Sequence, residues 1–255
     1  MFKFKNAIVR RPGRSLVGGI TSANLGKPDY ELALQQHGKY IDALKRCGVE
    51  VTILEADERY PDSVFVEDTA VLTEKCAVIT YPGAASRQGE EVSIKEALTK
   101  FYTTIECIEA PGTLDGGDVM MVGEHFYVGL SERTNEEGAR QFAEILDKYG
   151  YTVSNVFMEK FLHLKSGLAY LENNNLLVAG EFINHPEFEK FNRIIIDESE
   201  SYAGNCIWVN DVVLVPLRYP KTKIAIEQAG YKVIEVDVSE FRKLDGGLSC
   251  LSLRF

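Results

Sequence analysis

Nowhere in the 255 residues does an apolar run reach the length needed to cross a bilayer. The opening MFKFKNAIVRRPG has neither the apolar core nor the small-residue cleavage site of a secretory signal. The sequence therefore reads as that of a cytoplasmic protein with no membrane partner. Paired-cysteine spacing is missing too. The five cysteines (Cys47, Cys76, Cys107, Cys206 and Cys250) are odd in number, scattered and never arranged C-x-x-C, which argues against a disulfide framework and a structural zinc site. No H-x-x-x-H, H-E-x-x-H or G-x-S-x-G occurs, so metal-dependent and serine-centred hydrolysis are both disfavoured and no metal is expected. There is no Lys/Arg-rich segment either. With 28 basic against 38 acidic residues and a net charge of −10, nucleic acid is a poor partner, whereas a cationic ligand suits the field.

What is present is an ordinary globular composition, 45% hydrophobic and 26% charged, on a chain long enough to bury a large core. After a strand at Ala7 to Arg10 and a glycine-rich loop, Val17 to Gly26, a helix is predicted from Pro28, with a stop at Gly48 and a strand at Glu50 to Leu54. Paired strand-like runs about a turn then recur in SVFVEDTAVLTEKCAVITYPG, DVMMVGEHFYVGL, GLAYLENNNLLVAG and CIWVNDVVLVP. A polar helix from Thr134 to Tyr149 and another near Lys221 to Ala229 follow two of these pairs. GLSCLSLRF reads as a final strand that pairs with the first, making about five units at ~40–50-residue spacing. The expected fold is α/β: repeated strand-strand-helix-strand units closed radially around a central site, with residues 1–255 as one domain.

Polar residues stand at matched places near the start of the units: Glu67 and Asp68 in FVED, Asp115 and Asp118 in TLDGGD, His163 in LHLKSG, Asn205 in GNC and Cys250 in LDGGLSC. In repeat folds such residues tend to face a shared cavity, although Asp-Gly and Asn-Asp also serve simply as turn formers, and for Asp118 and Asp245 the turn-forming reading weighs at least as much. Cys250, alone, reads first as a small buried hydrophobe. A cysteine, a histidine and a carboxylate from separate segments are nonetheless the parts of a nucleophile, an acid/base and an orienting group. Of the four histidines, His163 alone sits between apolar residues at the mouth of a unit; His37 lies in a helix, His125 at a hairpin turn and His185 before a proline.

Together PDSVFVED, APGTLDGGDVMMVG, LSERTNEEGAR, LHLKSGLAYLE, YAGNCIWVN and DGGLSCLSLRF resemble the dimethylarginine dimethylaminohydrolases, most closely the bacterial ones, over nearly the whole chain and in the family's order. The resemblance implies a five-bladed α/β propeller, the pentein fold of the guanidine-modifying superfamily. It also implies hydrolysis of dimethylarginine and monomethylarginine to citrulline through a covalent cysteine intermediate, without metal or organic cofactor. Carried over by motif, Cys250 is the nucleophile, His163 the general acid/base and Asp115 the accompanying carboxylate, where some bacterial relatives place Glu. Glu67 and Asp68 are expected to receive the guanidinium, Arg87 and Arg133 the α-carboxylate, Asp62 and the Ile20 carbonyl the α-ammonium. Ser249 is expected beside the substrate, with the Val17 to Gly26 loop as a lid. A cationic substrate is expected to lower the Cys250 pKa, and a homodimer is implied by analogy. Arginine deiminase activity on the same chemistry and a non-catalytic binding protein on the same propeller remain the alternatives.

Overall fold

The computed structural model of the chain describes residues 3–255. Strand β1 (Asn6–Arg10) leads through a short 3-10 turn to helix α1 (Tyr30–Arg46). The helix begins two residues after Pro28, because the Asp29 side chain accepts the Leu32 N–H at 3.0 Å and fixes Asp29 as the cap. Ala33, Tyr40, Ile41 and Leu44 share its buried face, and Gly48, at φ +81°, turns the chain out of it. Strand β2 (Glu50–Leu54) then lies parallel to β1.

The same plan repeats. Strands β3 (Ala70–Leu72) and β4 (Ala77–Ile79) form a hairpin, helix α2 (Glu90–Leu98) crosses over, and β5 (Ile105–Cys107) returns parallel to β4. Next come β6 (Val119–Val122), β7 (His125–Leu130), helix α3 (Glu136–Asp147) and β8 (Thr152–Phe157). The one-turn helix α4 (Leu164–Gly167) opens the following unit, with β9 (Leu168–Tyr170), β10 (Asn175–Val178) and β11 (Asn192–Ile195). The fifth sheet holds β12 (Ile207–Val209), β13 (Val212–Pro216) and, after helix α5 (Pro220–Gln228), β14 (Lys232–Val236). Beyond the short helix α6 (Ser239–Arg242), β15 (Leu253–Arg254) pairs antiparallel with β1 and completes the first sheet as β15-β1-β2. Five three-stranded sheets therefore close into a ring, the radial closure expected from the repeat and the pentein architecture implied by the resemblance.

Two local expectations are corrected. In the fourth unit the crossover is no α-helix but a pair of 3-10 turns, Gly180–Asn184 and Pro186–Phe188, where the proline withholds an N–H and the buried Phe182 and Phe188 supply the packing. GLSCLSLRF is not one strand: Ser249–Leu251 is a 3-10 turn and only Leu253–Arg254 joins the sheet.

Apolar residues gather in five clusters, each filling the seam between neighbouring sheets. One, for example, joins Val71 and Val78 of the second sheet to Val119, Phe126 and Phe142 of the third unit. The innermost strand of every sheet is preceded by a short helical turn: Val66–Thr69, Gly116–Asp118, α4, Glu198–Gly204 and Ser249–Leu251. These turns pack against one another around the centre. The approach requires small residues, for a Cβ on Gly116 would lie 2.0 Å from the Glu67 carbonyl oxygen. No helix among the described residues is long and apolar enough to cross a membrane.

Candidate active site

Each turn at the centre presents a polar side chain to its neighbours. At one end of the ring they border a cavity of about 190 Å³ whose lining includes Asp62, Asp68, Asp115, His163 and Cys250.

His163 caps α4 and is buried, with Nε2 at 3.0 Å from Asp115 Oδ2. The other carboxylate oxygen of Asp115 accepts the Gly83 N–H at 2.9 Å, so the pair is oriented from both sides. Burial alone would drive the His163 pKa down, but Asp68, Asp118 and Asp115 overcome it and raise the pKa to about 9. At neutral pH His163 is an imidazolium. Asp68 faces the same difficulty of burial and escapes it through His163 and Arg87, which hold its carboxyl below the usual range. Its Oδ1 accepts the Gly117 N–H at 3.0 Å and its Oδ2 pairs with Arg87 Nη1 at 2.5 Å.

Cys250 opposes them in charge state. Its sulfur accepts the Gly247 N–H at 3.4 Å and an Asn205 Nδ2 hydrogen at 3.7 Å, and no bond joins it to His163. Burial first, and then the Glu67 and Asp68 charges, push its pKa up to about 12. The resting pair is thus a neutral thiol and a charged imidazole sharing one cavity.

The two arginines assigned to the α-carboxylate differ in kind. Arg133 lines the cavity and has no ion pair among the described residues. Arg87 is buried and committed, pairing with Asp68 and Glu90 and donating to the carbonyls of Asp62 and Phe65. Asp62 accepts the Ile20 N–H at 3.1 Å, and burial raises its pKa. Ser22 donates to Asp245 through both its N–H and its hydroxyl, so the glycine-rich loop is fastened over the cavity at two points.

Two expected members, Glu67 and Ser249, line a different cavity, although the Ser249 hydroxyl oxygen also lies 3.9 Å from Cys250 Sγ. Glu67 does not join Asp68 at this cavity. Its Oε1 accepts from Lys165 Nζ at 2.7 Å and its Oε2 from the Ser249 hydroxyl at 2.7 Å, and both Glu67 and Ser249 line a second cavity of about 160 Å³. The short turns account for this, since consecutive residues in a 3-10 turn point about a third of a revolution apart. Asp118 is weighed between turn former and site residue. It is fully buried and accepts from the Ser131 and Thr134 hydroxyls and the Leu164 N–H, bracing α4 behind His163. Lys165 is not among the expected site residues, and Asp245 is weighed only as a turn former against a cavity residue. The only available signals were Lys165's place two residues after His163 and Asp245's in the Gly-Gly turn.

Asp68, Asp115 and His163 each offer a ligand atom within 4.8 Å of the others. They could hold a cation only by giving up their bonds to Arg87, Gly83 and one another.

A family described as "N,N dimethylarginine dimethylhydrolase, eukaryotic" matches residues 26–252 of the chain. The N(G),N(G)-dimethylarginine dimethylaminohydrolase of Pseudomonas aeruginosa is 60% identical over 253 residues, covering 99% of this chain and 100% of that protein. A solved structure of a cysteine-to-serine variant of the Pseudomonas aeruginosa enzyme, complexed with citrulline, superposes with a TM-score of 0.99 at 60% identity, covering 100% of both chains. Another, a histidine-to-glycine variant of a dimethylarginine dimethylaminohydrolase as its adduct with S-methyl-L-thiocitrulline, gives 0.98 at 60% identity over 99% of this chain and 100% of that one.

Proposed function

The chain belongs to the dimethylarginine dimethylaminohydrolase family, and we propose that it converts dimethyl-L-arginine and monomethyl-L-arginine to citrulline with release of the methylated amine. One observation supports this above the rest: Cys250 and the His163–Asp115 pair open on one cavity with the thiol neutral and the imidazole charged. A resting enzyme in that state needs a cation beside the sulfur to create its nucleophile, and the substrate's guanidinium is that cation.

The guanidinium enters between Asp68 and Asp115, while the free Arg133 receives the α-carboxylate and Asp62 the α-ammonium. Cys250 gives its proton to solvent as the guanidinium arrives, and the thiolate attacks the guanidinium carbon to form a tetrahedral intermediate. The C–N bond to the methylated nitrogen breaks, and the His163 imidazolium gives its proton to the departing amine. An S-linked thiouronium remains on Cys250. Neutral His163 then takes a proton from water, whose oxygen attacks the same carbon. The C–S bond breaks, the proton left on that oxygen passes to the sulfur, and citrulline leaves with the neutral thiol and the imidazolium restored. Arg87 holds Asp68 in place rather than meeting the substrate directly. On the same reading the protein is a cytoplasmic, cofactor-free enzyme of one domain that pairs as a homodimer, and its five unpaired cysteines suit a reducing compartment.

Citrulline release from dimethylarginine, monomethylarginine and arginine, assayed side by side, tests the proposal. Methylated substrates are expected to be preferred and Cys250→Ser to abolish release. A preference for plain arginine would make the chain a deiminase, and no release from any of the three would leave a binding protein.

A further inference from the structure

The turn that carries the reacting sulfur is held by Tyr40 and Tyr202 from other parts of the ring and by Arg254 just beyond it. The Tyr40 hydroxyl donates to the Leu248 carbonyl at 2.9 Å, the Tyr202 hydroxyl to the Gly246 carbonyl at 2.8 Å, and Arg254 Nη1 to the Ser249 carbonyl at 3.3 Å. The Ser249 hydroxyl, bonded to Glu67, also lies 3.9 Å from Cys250 Sγ, and Asn205, buried at the mouth of the fifth sheet, makes two further bonds. Its Oδ1 accepts the Ser249 N–H at 2.8 Å. Because a backbone N–H can only donate, that contact fixes which way round the amide lies and leaves Nδ2 aimed at Cys250 Sγ, 3.7 Å away. The Gly247 N–H is the second donor to the sulfur, at 3.4 Å. Residue 247 has to be glycine for the two to coexist, since a Cβ there would lie 2.4 Å from Asn205 Cγ.

We propose that Asn205 is a catalytic residue of this site: with the Gly247 N–H it forms a two-donor cradle for the Cys250 thiolate, while its oxygen fixes the turn that presents the sulfur. Neutral donors give little to a thiol but strengthen markedly when the acceptor gains charge, so the cradle acts at the moment the nucleophile forms. It also acts when the sulfur leaves the thiouronium, where negative charge returns to it. The inference rests on the reading of the chain as a Cys250-dependent amidine hydrolase.

The test follows alkylation of Cys250 by iodoacetamide across pH, read as a mass shift on the Cys250 peptide, in the parent and in Asn205→Ala and Asn205→Asp. No substrate is involved. If the parent released no citrulline, the functional reading would fall while the alkylation profile still decided the role of Asn205. Loss of the donor in Asn205→Ala is expected to raise the alkylation midpoint by about one pH unit and to cut kcat for dimethylarginine about ten- to a hundredfold, with KM within about threefold. A residue that merely propped the turn would give the opposite sign: its removal would admit water to a sulfur whose pKa burial holds high, and the midpoint would fall. Asn205→Asp keeps the volume and the acceptor for Ser249 but sets a carboxylate against the sulfur, so it should fold, alkylate at still higher pH and turn over poorly. An Asn205→Ala midpoint unchanged or lowered, or an Asn205→Asp kcat within about threefold of the parent, overturns the proposal.

Discussion

Glu67 and Asp68 are consecutive in the chain, yet their carboxylates serve opposite cavities. Asp68 pairs with Arg87 beside Cys250, while Glu67 binds Lys165 and the Ser249 hydroxyl on the far side of the turn. Ser249 and Cys250 divide in the same way. The ring centre therefore separates two cavities, and the charge of Glu67, which lines one, raises the pKa of the thiol that lines the other.

Glu67→Gln should make that visible. Glu67 is, after burial, the largest influence raising the Cys250 pKa, and glutamine retains an acceptor for Ser249. The midpoint of Cys250 alkylation should move to lower pH. An upward shift would mean that disruption of the Lys165 pair outweighs the lost charge.

His163 ties stability to pH. Its folded pKa, about 9, lies above the ordinary 6.5, so its pairing with the carboxylates contributes fully below pH 6.5 and is lost as pH rises through 9. The thermal midpoint of the parent should fall across that window more steeply than that of His163→Asn. In the proposed reaction, His163→Ala should also lower kcat by about 10²–10⁴, the usual worth of a positioned acid/base, while Cys250 can still be alkylated.

The two arginines should separate in kind. Arg87→Ala strands Asp68 and Glu90 as buried, unpaired carboxylates, and urea unfolding should register a loss of about 3–5 kcal/mol. Arg133→Ala, which breaks no ion pair among the described residues, should leave the unfolding midpoint in place and raise KM for dimethylarginine about ten- to a hundredfold.

Asp29→Ala probes the fold apart from the chemistry. Removing the cap of α1 should cost about 1 kcal/mol in urea unfolding and leave kcat unchanged.

The hairpins were legible because a strand with one face in a seam alternates or runs apolar, as in VVLVP and HFYVGL, and because Asn-Asp and Glu-Lys turns separate them. The fourth crossover was not, since its packing comes from phenylalanines spaced through NHPEFEKF without helical period. Proximity to the centre could be read from matched positions in the repeat. Which of two adjacent residues faces which cavity could not, because that depends on the rotation of a three- or four-residue turn, as Glu67 beside Asp68 and Ser249 beside Cys250 show. Asn205 was seen as a matched polar residue, but its role follows only from the backbone N–H that orients its amide.

The cavity draws Cys250, Asp68, Asp115 and His163, with Asn205 beneath the sulfur, from five different turns, one per sheet. Asp115 and His163 are 48 residues apart and Glu67 and Ser249 are 182 apart, so no fragment of one or two sheets contains a working site. Turnover is thus a readout of the closed ring. During refolding it should return last, after the hairpins and helices regain their local structure, and at the rate at which distant segments find one another.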